Sequence, residues 1–169
     1  MPLLTDELKA WIGRTITYPA CEDLSRASIR YFALALRDYN PLYSDDGYAR
    51  QAGYPSVIAP PTLVVETCQY AHRPANVDGY FGHEWHLPIE GCRQIRAGND
   101  YEFFRPVLPT DRISAAWTLE AIDERASSRG GTQLFVQSVA RFTADGNELL
   151  AINRETLVYQ PLQPAGASV

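Results

Sequence analysis

Apolar residues recur at helical spacing in the first half of the chain and at strand spacing in the second. Ile29, Phe32, Ala33 and Leu36 fall at i, i+3, i+4 and i+7, which predicts a helix opened by Ser25 with one buried face. Asp38-Tyr39-Asn40-Pro41 ends it, because proline disfavours helical backbone at the residue before it. Thr5-Asp6 can cap a shorter helix through Trp11, stopped by Gly13, and residues 14–18 read as a short strand. Residues 45–52 predict one or two helical turns ending at Gly53. Pro60-Pro61-Thr62 precedes a strongly apolar run, so residues 61–71 read as a buried helix whose start is set by proline.

Beyond residue 80 the period changes. Residues 92–102, 111–122, 133–142 and 149–159 read as four strands. Leu134, Val136, Ser138, Ala140 and Phe142 alternate onto one side of the third. Turns are expected at residues 108–111, joining the first two strands, at 127–131, and at Asp145-Gly146, a hairpin signal. An antiparallel meander needs one face covered, and the 61–71 helix is the natural cover. The expected fold class is therefore α+β: a curved antiparallel β-sheet wrapped around a central α-helix. One domain is expected over residues 1–160, with residues 161–169 a flexible tail and no internal repeat.

Composition narrows the function classes. A chain of 169 residues, 46% hydrophobic and 21% charged, suits one globular domain and excludes disordered, collagen-like and coiled-coil chains. A net charge of -5 argues against a nucleic-acid or polyanion binder, and Lys9 as the only lysine excludes a basic lysine tail. The N-terminus lacks the basic-then-apolar pattern of a signal peptide, and no apolar run approaches the roughly 20 residues of a membrane span. Cys21, Cys68 and Cys92 are odd in number and widely spaced, which fits neither a disulfide framework nor a zinc site. A cytoplasmic protein with no nucleic-acid or membrane partner is expected.

Among the histidines, His72 falls at the end of the 61–71 run, where a cation suits a helix dipole. His83 and His86 flank Glu84 and Trp85, but with no third ligand they read as a solvated or hydrogen-bonded pair, and neither metal nor cofactor is expected. Tyr70, Tyr80, Phe81 and Trp85 either line a pocket between helix and sheet or pack in the core. Arg73, Arg93, Arg96 and Arg105 either meet phosphates or form ion pairs.

The densest signal is Asp38-Tyr39-Asn40-Pro41-Leu42-Tyr43, followed by Ile58-Ala59-Pro60-Pro61-Thr62. Alone, Asp-x-Asn-Pro is a helix end and a turn held by its own side chains. Together with Phe103-Phe104-Arg105-Pro106-Val107 and Asp111, however, the pattern over residues 25–159 resembles the MaoC-like (R)-specific enoyl-CoA hydratases and acyl dehydratases, which have the hot-dog fold. Their loop reads Asp-x-Asn-Pro-apolar-His, and Ile-Ala-His-Gly-Met opens their central helix. The resemblance implies hydration of a 2-enoyl thioester, or its reverse. Asp and His would activate water, and a backbone N–H at the helix start would meet the developing oxyanion.

This chain departs from that pattern at two points. Tyr43 stands at the His position, and a phenol titrating near pH 10 is a poor base at neutral pH. Pro61 stands at the Gly position and has no N–H to donate. The catalytic positions Asp38, Asn40 and Tyr43 thus read as degenerate, with Pro60, Pro61, Thr62, Tyr70, Phe81, Trp85 and Arg105 as candidate substrate-binding residues. The departures most resemble the N-terminal-type branch, whose members often form the non-catalytic, acyl-binding half of a heteromeric hydratase. A MaoC-like partner subunit and an acyl-CoA or acyl-carrier thioester are the partners this implies. The alternatives are a stand-alone homodimeric hydratase, and a thioesterase or acyl-thioester-binding module on the same fold.

Overall fold

Three short helices and one sheet are set by local signals that act before any tertiary contact. The computed structural model describes residues 2–65, 68–77, 79–127, 131–145 and 147–162. Helix α1 spans Asp6–Lys9, α2 Arg26–Leu36 and α3 Asp46–Gln51. Each is capped by a side-chain oxygen: Thr5 accepts from the Leu8 amide, Ser25 from Ser28, and Asp45 from Gly47 and Tyr48. The strands are β1 (Thr15–Tyr18), β2 (Cys92–Phe103), β3 (Ile113–Ala126), β4 (Thr132–Ala144) and β5 (Glu148–Pro161). They form one antiparallel, curved sheet in the order β1-β3-β4-β5-β2.

The meander is confirmed for β3, β4 and β5, but β2 pairs with β5 and not with β3. The 108–111 turn therefore joins no hairpin. Its backbone is used by other segments: Leu24 and Ser25 donate to the Asp111 and Pro109 carbonyls, and Ala59 donates to Val107. The connection after β2 becomes a crossover to the far side of the sheet, and β2 is left as an edge. Register shifts in β2 between Arg96 and Gly98, and in β3 between Leu119 and Ala121, mark local bulges, which bend and twist strands.

The inner face carries Ile113, Ala115, Trp117 and Leu119 of β3, with Leu134, Val136, Ala140 and Phe142 of β4 beside them. The alternation read for β4 is the one observed. Ser138, in the middle of that row, is buried and accepts from Trp85 Nε1 at 2.8 Å. Ile29 and Ala33 of α2 are buried, but Leu36 is 56% exposed. The reason is that α2 ends at Leu36, with Arg37 in the left-handed region at φ 57. The Asp38 amide then closes back on Ala33 O at 2.9 Å, before Pro41 has any influence.

The expected central helix over residues 61–71 is the main correction. Here the chain makes two 3₁₀ turns, Pro61–Val64 and Cys68–Tyr70, and residues 66 and 67 lie outside the described residues. Thr62, Val64 and Val65 are β-branched and weak helix formers, and the bonds close over three residues, Leu63 donating to Pro60 O and Val65 to Thr62 O. Leu63, Val64 and Tyr70 still bury against the sheet, while Pro61 and Thr62 are exposed. Without that helix the dipole reading of His72 falls as well, and His72 is exposed. Residues 163–169, most of the expected tail, lie outside the described residues, as do Gly146 and residues 128–130 of the expected turns. Among the described residues no helix is long and apolar enough to cross a membrane.

Candidate functional site

The loop after α2 is held by its own polar side chains. Asp38 Oδ1 accepts from the Asn40 amide and Asn40 Oδ1 accepts from the Leu42 amide, both at 3.1 Å. Leu42 O accepts from the Ile58 amide at 3.0 Å, which pins the loop against the 57–60 segment. Tyr43 is thereby brought to a cavity of about 310 Å³ that it shares with Ala59, Pro61, Phe103, Phe104 and Arg105. So Tyr43, Pro61 and Arg105 meet at one cavity, beside a loop anchored by Asp38 and Asn40. Pro60 is buried beneath it, and Thr62 is exposed on the same turn.

Burial pushes the Tyr43 phenol above its usual range, and the negative charge of Asp38 adds to this; a hydrogen bond with Asn40 opposes both. At neutral pH Tyr43 is a protonated donor and cannot serve as a base.

Arg105 is committed to the protein. Nη1 donates to Asp111 Oδ2 at 2.7 Å and to Pro106 O at 2.8 Å. Nη2 donates to Asp111 Oδ1 at 3.1 Å and to Glu148 Oε2 at 2.7 Å. These contacts hold the guanidinium's proton still more firmly and keep the Glu148 carboxyl below its usual range. The other candidate arginines are also engaged. Arg73 donates to Gly82 O and Tyr18 Oη, Arg93 to Gln160, and Arg96 to Glu155 at 2.6 Å.

The aromatic candidates separate. Tyr70 and Phe81 line a second cavity of about 750 Å³, which also meets Tyr101, Arg96, Asn153 and Glu155. Trp85 does not reach it: its ring lies in the core, hydrogen-bonded to Ser138. His83 and His86 are not a pair. His86 is exposed, whereas His83 is buried, stacked on Trp117 at 4.4 Å and 2.9 Å from Tyr18 Oη through Nδ1. The Tyr18 oxygen also accepts from Arg73, so Tyr18 links the buried imidazole to the guanidinium. Burial, reinforced by the charges of Arg73, His86 and Arg96, pushes the His83 pKa down to about 3, so the ring is neutral at pH 7.

Asn153 and Glu155 are buried polar residues that the reading of the sequence did not single out, and Asp111, read there only as part of the turn motif, is buried as well. A signal for the first two was present. Asn153 and Glu155 occupy the inward positions of β5 between Ala151 and Leu157, where alternation calls for apolar residues.

A profile of the FAS1-like, dehydratase domain region matches residues 10–151. The chain belongs to the FAS1-like dehydratase family. A UPF0336 protein of Parafrankia sp. (strain EAN1pec) is 30% identical over 164 residues, covering 97% of this chain and 99% of that one. The fold is the hot-dog fold of MaoC-like dehydratases. It superposes on a chain of the ChsH1-ChsH2 complex from Mycobacterium tuberculosis with TM-score 0.74 at 19% identity, covering 96% of this chain and 92% of that one. It also superposes on a chain of the C-terminally truncated HadBC (3R-hydroxyacyl-ACP dehydratase) complex from the same organism, with TM-score 0.66 at 25% identity, covering 88% and 96%.

Proposed function

We propose that this chain is the acyl-binding subunit of a heteromeric enoyl-CoA hydratase or 3-hydroxyacyl-thioester dehydratase, with the catalytic Asp and His supplied by a partner chain. The observation that carries this reading is Tyr43 at the Pro61 cavity, a phenol held protonated by burial and by the charge of Asp38 on the same loop. In hydration, water adds oxygen to C3 of the 2-enoyl thioester and a proton to C2. The loop lacks an imidazole to deprotonate that water, and Pro61 has no amide to meet the enolate oxygen. A missing base is typically worth 10²–10⁴-fold in rate, and a missing oxyanion donor about 10²–10³-fold.

Two further facts support a subunit role. HadBC is itself a dehydratase complex of two kinds of chain. Edge strand β2 exposes Ile95 and Phe103, with Phe104 just beyond its end, a surface that an adjoining subunit would cover. In this reading Pro61 shapes the acyl side of the cavity, with Pro60 and Thr62 flanking it on the same turn, and Asp38 and Asn40 hold the loop that carries Tyr43.

The test is co-expression with a MaoC-like chain that keeps the intact Asp-x-Asn-Pro-apolar-His loop, followed by hydratase assays of each chain and of the pair. Turnover is expected only where the partner's intact loop is present. Asp38→Ala in this chain should lower assembly more than turnover per assembled complex. If the purified chain alone hydrates a short 2-enoyl-CoA, and Asp38→Asn abolishes that with the fold intact, a homodimeric enzyme replaces the proposal.

A further inference from the structure

The second cavity is polar where a hydrocarbon pocket would be dry. Its floor is the inner face of β5 and β2, where Asn153 opposes Tyr101 and Glu155 opposes Asn99 across the ladder. Asn153 is 1% exposed. Its Nδ2 donates to Asn99 Oδ1 at 3.0 Å, and its Oδ1 has no hydrogen-bond partner among the described residues. A buried amide oxygen left unpaired is destabilising, and a leucine of similar size would serve the fold better. The acceptor itself is closed to solvent, but its residue lines the cavity, so a donor from a ligand seated there is the partner it lacks.

The neighbouring groups narrow that donor. Glu155 is buried and bound to Arg96, and Glu84 accepts from Asn76 Nδ2 at 2.9 Å. The carboxylates of Glu84 and Glu155 on the same cavity wall disfavour an acid or a phosphate, and both are already partnered, by Asn76 and Arg96, which leaves no charge set aside for an ammonium. A neutral hydroxyl satisfies the acceptor without either conflict. The remaining walls, Val65, Tyr70, Phe81, Tyr101 and Trp117, offer apolar surface for a carbon skeleton. The two cavities are neighbours. Phe103 lines the first and Tyr101 the second, their rings stacked 5.9 Å apart on one face of β2, while Pro61 and Val65 stand at the two ends of one turn.

We propose that the second cavity binds a hydroxyl group carried on the acyl chain remote from the thioester, with Asn153 Oδ1 accepting its hydrogen bond. This rests on the acyl-thioester reading above and adds to it a substrate class: oxygenated acyl groups. Asn153 is the specificity residue, and Asn99 positions its amide.

The test is calorimetric titration of the purified protein with saturated acyl-CoAs, which cannot be hydrated. A series of ω-hydroxyacyl-CoAs is compared with unsubstituted acyl-CoAs of matched length. At chain lengths that reach β5 the hydroxylated member should bind about 5-fold to 10-fold tighter, the range of one neutral hydrogen bond. Asn153→Leu should abolish that preference while keeping the affinity for the unsubstituted chain, and its melting temperature should equal or exceed the parent's. Asn99→Ala, on the exposed edge strand, releases the Asn153 amide and should shrink the preference; it remains decisive if the buried variant does not fold. Equal affinities at every length, or a preference that survives Asn153→Leu, overturn this inference alone. If neither series binds, the acyl-thioester reading falls and this inference falls with it.

Discussion

Replacing Arg105 with methionine keeps most of the apolar stem and removes the charge, which isolates what the guanidinium does. Asp111 is 5% exposed at its side chain, and after the substitution it keeps only the Leu108 amide, at 2.7 Å. Removing one partner of a buried pair costs about 3–5 kcal/mol, because the remaining carboxylate stays desolvated. Arg105 is 24% exposed, so water can replace part of what is lost, and the lower end, about 3 kcal/mol, is expected. The exposed contact to Glu148 adds little. For a chain of this length that corresponds to a fall of about 6–12 °C in melting temperature. Denaturant unfolding followed by tryptophan fluorescence reads it directly, since Trp85 and Trp117 lie in the core, and the slope should stay unchanged.

The cycle is completed by Asp111→Leu and the double variant. Two apolar side chains in place of the pair should recover most of the loss, giving a coupling of about 2 kcal/mol or more. A loss below about 1 kcal/mol for Arg105→Met, or a double variant no better than the single, would refute the argument. So would a variant of parental stability that no longer binds acyl-CoA, which would make Arg105 a phosphate ligand and not a strut.

Three further outcomes are expected. Tyr43→His with Pro61→Gly should raise 2-enoyl-CoA hydration by about 10²-fold or more over either single change, and a folded double variant at the parental rate would remove the basis for reading those positions as the lost machinery. His83 has a folded pKa of about 3 against 6.5 when unfolded, so the unfolded chain binds the extra proton; its contribution is fully present above pH 6.5 and is lost as pH falls toward 3, at up to about 1.4 kcal/mol per pH unit. Denaturant midpoints from pH 7 to 4 should show that slope, and His83→Gln should flatten it. Arg37→Gly should stabilise the chain by about 0.5–1 kcal/mol, because Arg37 sits at φ 57, where only glycine is unstrained; a lower melting temperature would contradict this.

The geometry of the Asp38 loop was legible because its parts are contiguous. Asp38, Asn40 and Tyr43 lie within six residues, and their mutual geometry is set by turns their own side chains make. Strand spans were legible for the same kind of reason: alternation such as Leu134, Val136, Ser138, Ala140 and Phe142 is a property of one segment. The second cavity was not legible. Asn153 and Glu155 break the apolar alternation of β5, but that they share a wall with Tyr101 and Asn99 follows only once β5 is paired with β2.

What the sequence determined by itself was therefore local: caps, strand periods, the Asp38 turn, and the absence of an imidazole and an amide where the family's chemistry uses them. Tertiary structure decided three things. It placed β2 beside β5, because the backbone of residues 107–111 is taken by Leu24, Ser25 and Ala59. It turned an apolar run into 3₁₀ turns, because burial of Leu63, Val64 and Tyr70 does not require a helix and the β-branched Thr62, Val64 and Val65 do not favour one. It also assigned Arg105 to Asp111, because a guanidinium is spent on whichever carboxylate the fold desolvates beside it, and one-dimensional spacing does not say which that is.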